Sequence, residues 1–357
     1  GYTLSGWSRT TTGSVVSFSG GYAPNDTAGF TLYAIWSANS NTIVYDSQGG
    51  TSIANGSMLT GGSIATAPAP TRAGYTLSGW SRTTTGSVVS FAGSGYAPND
   101  TDGFTLYAIW SANILDVTFD SNGGSLVTAS TTTTGASISA APTAPTRAGY
   151  TFAGWFANSN LTDSAITFSY AHGQTDDFTL YAKWTANSNT IIYDAQGGSS
   201  VSNGSMLTAG SIASAPVSTR AGYTLTGWSR TTTGSVVSFS GGYAPNDTAG
   251  FTLYAIWNPN TNIVSYDSQG GSSVIDGTVL TGGVISSAPV STRAGYTLSG
   301  WSRTTTGAVV SFAGSGYAPT DTSSFTLYAI WSANSNTIVY NAQGGSSVSD
   351  GSMLTGG

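Results

Sequence analysis

Phe104-Thr105-Leu106-Tyr107-Ala108-Ile109-Trp110 decides the fold. It alternates, with Phe104, Leu106, Ala108 and Trp110 on one face, as a strand requires. Tyr107 and Ile109 on the other face are also apolar, which predicts a central strand or one covered on both sides. The same string ends at Trp36, Trp184, Trp257 and Trp331. A second string, Gly-Tyr-Thr-(Leu/Phe)-x-Gly-Trp, ends at Trp7, Trp80, Trp155, Trp228 and Trp301, in steps of 73, 75, 73 and 73 residues. All 10 Trp residues fall in these two strings. A third string, apolar-x-(Tyr/Phe)-(Asp/Asn)-x-(Gln/Asn)-Gly-Gly, lies at 43–50, 117–124, 191–198, 264–271 and 338–345. A period of this length marks an array.

Complete units are predicted at 42–110, 116–184, 190–257 and 263–331, with the back half of a unit at 1–36 and the front part of one at 337–357. Connectors such as Ser37-Ala38-Asn39-Ser40-Asn41 are short and polar; five residues reach at most ~17 Å, so neighbouring units nearly touch. Further strands are expected at Ile43-Val44-Tyr45, at Gly74–Trp80 and at Val88-Val89-Ser90-Phe91. Asn55-Gly56 and Asn203-Gly204 read as hairpin turns. A short helix is expected between Gly61 and Pro68. The fold class is thus mainly β, in small α+β units strung as beads. Each unit is expected to close around its own two indoles: Trp7 and Trp36, Trp80 and Trp110, Trp155 and Trp184, Trp228 and Trp257, Trp301 and Trp331.

Composition narrows the chemistry. The 357 residues are 7% charged, against about 25% in a typical globular protein. All 15 acids are Asp, His172 is the lone His, Lys183 the lone Lys, and there is no Cys. Disulfide scaffolds and thiolate metal sites are excluded. A net charge of −6 argues against electrostatic capture of nucleic acid. No stretch approaches the roughly 20 apolar residues of a membrane helix. The chain begins and stops mid-pattern, so a window on a longer array is expected; the alternative is that 337–357 and 1–36 of separate chains complete one another by strand addition.

Three strings in fixed order, as in Phe119-Asp120-Ser121-Asn122-Gly123-Gly124, Ala144-Pro145-Thr146-Arg147-Ala148-Gly149-Tyr150-Thr151-Phe152-Ala153-Gly154-Trp155-Phe156 and Phe178–Trp184, resemble the internalin B-repeat family, also called Listeria–Bacteroides repeats. The resemblance covers essentially the whole chain. It implies β-grasp-like units in arrays on secreted and surface-anchored bacterial proteins, acting as stalks, spacers or adhesive modules, with no catalytic machinery. Elsewhere Lys183 becomes Ile35, Ile109, Ile256 and Ile330, and Phe156 becomes Ser8, Ser81, Ser229 and Ser302.

Candidate sites are few. Asn99-Asp100-Thr101-Asp102-Gly103 looks like the start of a calcium loop through Asp100 and Asp102, but it lacks the bidentate Glu, and an Asx turn is the better reading. His172 has no nucleophile and orienting partner arranged around it in the sequence and reads as a loop residue. Arg72, Arg147, Arg220 and Arg293 recur before Gly-Tyr, as a packing row or a ligand row. Arg9, Arg82, Arg230 and Arg303 are expected to be exposed. Asn-x-Ser/Thr acceptors stand at Asn25, Asn55, Asn99, Asn160, Asn203 and Asn246. No enzyme and no cofactor is expected. The sequence predicts an extracellular stalk, fibre or adhesin shaft on a bacterial cell surface, self-associating laterally or head to tail; five beads would span roughly 150 Å. The alternative is a repeat module that binds a glycan or a host protein.

Overall fold

A computed structural model describes residues 1–356. The chain divides into two compact units, Gly1–Arg147 with Thr151–Thr185, and Ala148–Tyr150 with the chain from Ala186 onward. Among the described residues every regular element is a strand.

Residues 40–112 show how one repeat is built. Its strands are Ser40–Asp46, Gly56–Leu59, Tyr75–Ser81 and Phe104–Ala112. They form one sheet in the order second, first, fourth, third. The first and fourth strands are parallel, Ile43 opposite Phe104, and the outer pairs are antiparallel. The Phe104 string is therefore central. Four-stranded sheets of the same order recur with first strands at Ile114–Asp120, Ser188–Asp194 and Thr261–Asp267.

Alternation sets the core. Phe104, Leu106 and Ala108 are buried, as are Ile43 and Met58, and Trp80 is wholly enclosed. The covering layer is not a helix. Ile53, Ile64 and Ala67 from one crossing, and Val89, Phe91 and Tyr96 from the other, pack onto the same face. The helix expected between Gly61 and Pro68 is absent. Ile64 instead exchanges two backbone hydrogen bonds with Tyr96, at 2.8 and 2.9 Å, and Pro68 and Pro70 hold the segment extended.

Two smaller expectations also give way. Val88–Phe91 makes a single bridge, Ser81 to Val88, rather than a strand. Asn55-Gly56 is not a two-residue turn; Gly56 already pairs with Ile43, and a Cβ there would lie 3.1 Å from the Tyr45 ring. The tight reversal sits earlier, at Ser47–Gly50, with Gln48 at φ 49° and Gly49 at φ 86°. Asp46 Oδ1 accepts the Gln48 N–H at 2.9 Å, an Asx turn.

Half a repeat shows what the whole one supplies. In residues 1–36 only the hairpin Tyr2–Ser8 with Tyr33–Ala38 forms, without the first two strands. Trp7 is 41% exposed there, whereas its counterpart Trp80 is 0% exposed. In the complete repeat, Ile43 and Met58 of the first two strands share the core with Trp80.

Candidate functional site

The two indoles of a repeat have different duties. Trp80, Trp155, Trp228 and Trp301 are enclosed, between 0% and 2% exposed. Trp80, Trp228 and Trp301 donate their Nε1–H to the carbonyls of Pro68, Pro216 and Pro289 at 2.8 to 2.9 Å. Trp155 Nε1 has no partner, because its proline loop carries one extra residue, Pro142-Thr143-Ala144-Pro145. The other indole lies half-buried at the sheet rim: Trp110 and Trp331 donate to Ser47 and Ser268, Trp184 to Ser121, and Trp257 to Ala195. That turn needs glycine beneath the ring, since a Cβ on Gly50 would lie 2.6 Å from Trp110. Trp36, in the half repeat, is 58% exposed.

The two arginine rows also separate. Arg72, Arg220 and Arg293 stack over Tyr75, Tyr223 and Tyr296 at 4.0 to 4.1 Å and donate Nη1–H to the carbonyls of Gln48, Gln196 and Gln269 at 3.1 Å. Arg147 donates in the same way to Asn122.

The other row is not simply exposed. Arg82 grips Asp100 through two bonds of 2.7 and 2.8 Å while lying 4.2 Å over Phe104. Arg9 and Arg230 make the same two-bond grip on Asp26 and Asp247, whereas Arg303 reaches Asp321 through Nη2 alone. Both Asp100 oxygens are thus engaged by a guanidinium, and Asp102 is exposed. Among the described residues no group of three or more acids or His gathers in one place.

The Arg82 hydrogen bonds hold the Asp100 carboxyl below its ordinary value of 3.8, against an opposing effect of burial. A depressed folded-state value contributes stability above the unfolded value that is lost as pH falls through the folded one. Melting temperature is therefore expected to hold flat down to about pH 4 and to fall below it. Asp100→Asn should remove under about 1 kcal/mol at neutral pH, because the pair is part-exposed, and should flatten that acid limb; an unchanged acid limb would count against the assignment.

His172 is buried at 6% exposure, stacked on Phe178 with ring centroids 4.9 Å apart. Its Nδ1 accepts the Gln174 N–H at 3.0 Å, and Nε2 lies 3.5 Å from Thr132 Oγ1. It fixes a loop, with no carboxylate among its hydrogen-bond partners.

The residues that join repeats lie in the connectors, and reading those as polar spacers overlooks them. Asn113 alone separates Phe104–Ala112 from the next strand, Ile114–Asp120. Its N–H donates to Gly74 O of the preceding repeat at 2.9 Å, and its carbonyl accepts from Thr134 N of the following one at 3.0 Å. Its side-chain Oδ1 accepts Thr76 Oγ1–H at 2.7 Å. Asn39, Asn260 and Asn334 repeat the arrangement with Gly1 and Thr60, Gly222 and Thr281, and Gly295 and Thr355. The threonine hydroxyl adds a second layer. Thr281 Oγ1 accepts from Asn262 Nδ2 at 3.1 Å and donates to Asn260 O at 3.4 Å. The legible signal was an Asn at the same place in every connector, Asn39, Asn113, Asn187, Asn260 and Asn334.

One repeat breaks this layer and supplies a contrast. Leu115 stands where Asn41, Asn189 and Asn262 stand elsewhere, and Thr134 Oγ1 is left buried without a partner. Thr134→Val is expected to stabilise the chain by about 1 kcal/mol. Thr281→Val is expected to destabilise it by about 1–3 kcal/mol, since it strands the Asn262 amide at 4% exposure. Urea unfolding of both variants checks the opposed signs; equal shifts would refute the bonding scheme.

Fold and joints together define a tandem array of small all-β repeats, with asparagine clamps within each of the two units at Asn39, Asn113, Asn260 and Asn334. The model of the Listeria-Bacteroides repeat domain matches residues 42–109, 116–183, 190–256 and 263–330, and the chain belongs to that family. It is 30% identical over 98% of its length to a putative Gly-rich membrane protein of Evansella cellulosilytica, and 29% identical over 85% to a putative membrane protein of the same organism. Over 34% of the chain it is 37% identical to internalin H of Listeria monocytogenes. It spans 41%, 45% and 21% of those relatives' own lengths. Among the described residues no helix is long and apolar enough to cross a membrane.

Proposed function

We propose that the chain is a non-catalytic shaft, displayed outside a bacterial cell as a stalk, fibre or adhesin stem, which carries other modules away from the surface. The observation that carries this reading is the joint. One asparagine links two strands and is bonded through its N–H, its carbonyl and its side chain to the repeats on both sides. A spacer meant to swing freely needs no such bonds, and here they occur at Asn39, Asn113, Asn260 and Asn334. The names of the relatives support surface display. The sheet order second, first, fourth, third, with its central parallel pair, supports a β-grasp-like description of the repeat in which loops stand in for the helix.

Two features support self-association as part of this reading. Charge is sparse, so little ion desolvation opposes contact between chains. Each sheet also ends in two edges, Gly56–Leu59 and Tyr75–Ser81 in the first complete repeat.

Small-angle scattering and negative-stain imaging test the shaft directly. A stiff thread with narrowly distributed end-to-end length is expected. A broad distribution typical of freely hinged beads would sink the reading. Sedimentation velocity over a hundredfold concentration range should show association; a concentration-independent monomer would remove that element alone.

A further inference from the structure

We infer that three of the repeats carry a binding site for a neutral, hydroxyl-rich saccharide, in the cleft between the Ser47–Gly50 type of turn and the rim indole. This goes beyond the shaft reading and does not depend on it.

The clefts are concave and alike. Gln196, Arg220, Thr232, Thr233 and Trp257 line one of about 420 Å³, and Gln269, Arg293, Thr305, Thr306 and Trp331 line one of about 330 Å³. Both lie in the size range of small-molecule sites, about 300–1,000 Å³. Gln48, Arg72, Thr84, Thr85 and Trp110 occupy the same places in the first complete repeat.

Three features of these side chains leave hydrogen-bonding capacity free beyond what the fold uses. The glutamines sit at φ 49°, 49° and 48°, a left-handed conformation that Gly and Asn adopt far more readily. Their side-chain amides make no hydrogen bond to another described residue, and the side chains are half-buried. The arginines of this row each place one N–H on the turn carbonyl and have no carboxylate partner, whereas the row at Arg82, Arg230 and Arg303 is neutralised by Asp. The paired threonines are exposed and their hydroxyls unbonded.

The chemistry of the lining names the ligand class. Guanidinium N–H and amide N–H₂ donate; the amide oxygen accepts; the threonine hydroxyls do both. A bare anion would answer only the donors. Vicinal hydroxyls answer all of them, and the half-buried indole offers an apolar flank to the C–H face of a sugar ring. The net charge of −6 argues against a polyanion.

The divergent repeat is an internal control. Asn122 replaces Gln, takes the left-handed turn at φ 47°, and spends its amide on Ala182 O at 2.7 Å. Asn158-Ser159-Asn160 replaces the threonines, and Lys183 replaces the Ile beside the rim indole, its Nζ donating to Leu161 O at 2.9 Å. The inference therefore assigns three sites to the chain, at Gln48, Gln196 and Gln269, and none at Asn122.

Affinity electrophoresis of the whole chain through gels of glucan, mannan, galactan, xylan and polygalacturonate tests this. Retardation by at least one neutral polymer is expected, with none by polygalacturonate. Calorimetric titration with an oligosaccharide of the retarding polymer should give three sites per chain. The triple variant Gln48→Gly, Gln196→Gly, Gln269→Gly should bind at least tenfold more weakly with an unlowered Tm, because glycine suits that φ. Asn122→Gly should bind like the parent. Retardation by none of the polymers, retardation by polygalacturonate alone, or a triple variant with parental affinity would each overturn the assignment.

Discussion

Replacing Trp228 by alanine is expected to unfold residues 190–257 while leaving the other complete repeats folded. The indole is 0% exposed, donates to Pro216 O at 2.9 Å and meets the Tyr193 ring edge-on at 5.1 Å. Truncating a buried Trp costs about 3–5 kcal/mol. A core of roughly 70 residues seldom supplies more than about 3–5 kcal/mol in all. The loss therefore removes most or all of one repeat's own stability. Hydrogen exchange resolves this by position: the amides of Ser188–Asp194 and Phe251–Pro259 should lose protection, and those of Ser40–Asp46 should keep it. Trp257→Ala, at the half-buried rim, should cost about 1–2 kcal/mol and leave the repeat folded. Equal losses from the two substitutions would contradict the division of labour between the indoles.

Gly222→Ala is expected to break a joint and spare the cores. Gly222 has φ 76°, and a Cβ there would lie 2.6 Å from Thr281 Cγ2 and 3.0 Å from Thr322 Cβ, both in the following repeat. The left-handed backbone costs an alanine about 1–2 kcal/mol, and overpacking adds about 1–3 kcal/mol. Relief comes most directly by parting Gly222 from Thr281, which lengthens the 2.8 Å bond from Asn260 N to Gly222 O and the 2.9 Å bond from Thr281 N to Asn260 O. Exchange at those two amides should rise at least tenfold, with the fluorescence maximum of the buried tryptophans unchanged. Unaltered exchange at Asn260 and Thr281 would show that the joint does not rely on this close approach.

Much of the strand architecture was legible because strand character is local. The alternation in Phe104–Trp110 sufficed to mark a strand, and its two apolar faces allowed a central place or cover on both sides, of which the sheet order shows the central place. The covering layer was not legible. Ile64 and Tyr96 are too far apart in the chain for their pairing to leave a local trace, so the segment before Pro68 could be read as helix. The Arg82 row was misread in the same way. Nothing near Arg82 in sequence marks Asp100, 18 residues away, as its partner.

The sequence by itself determined the period, three of the four strands and the pair of indoles in each repeat, since all three are written in spacings of a few residues. Tertiary structure decided which indole is enclosed and which caps a turn, which arginines are neutralised, and that the connectors are clamps. Those outcomes rest on partners such as Trp110 and Ser47, 63 residues apart, and on glycines whose missing side chain matters only once a ring or a threonine from elsewhere arrives beside them. A local pattern states what a segment can become; burial and bonding depend on what the rest of the chain brings to it.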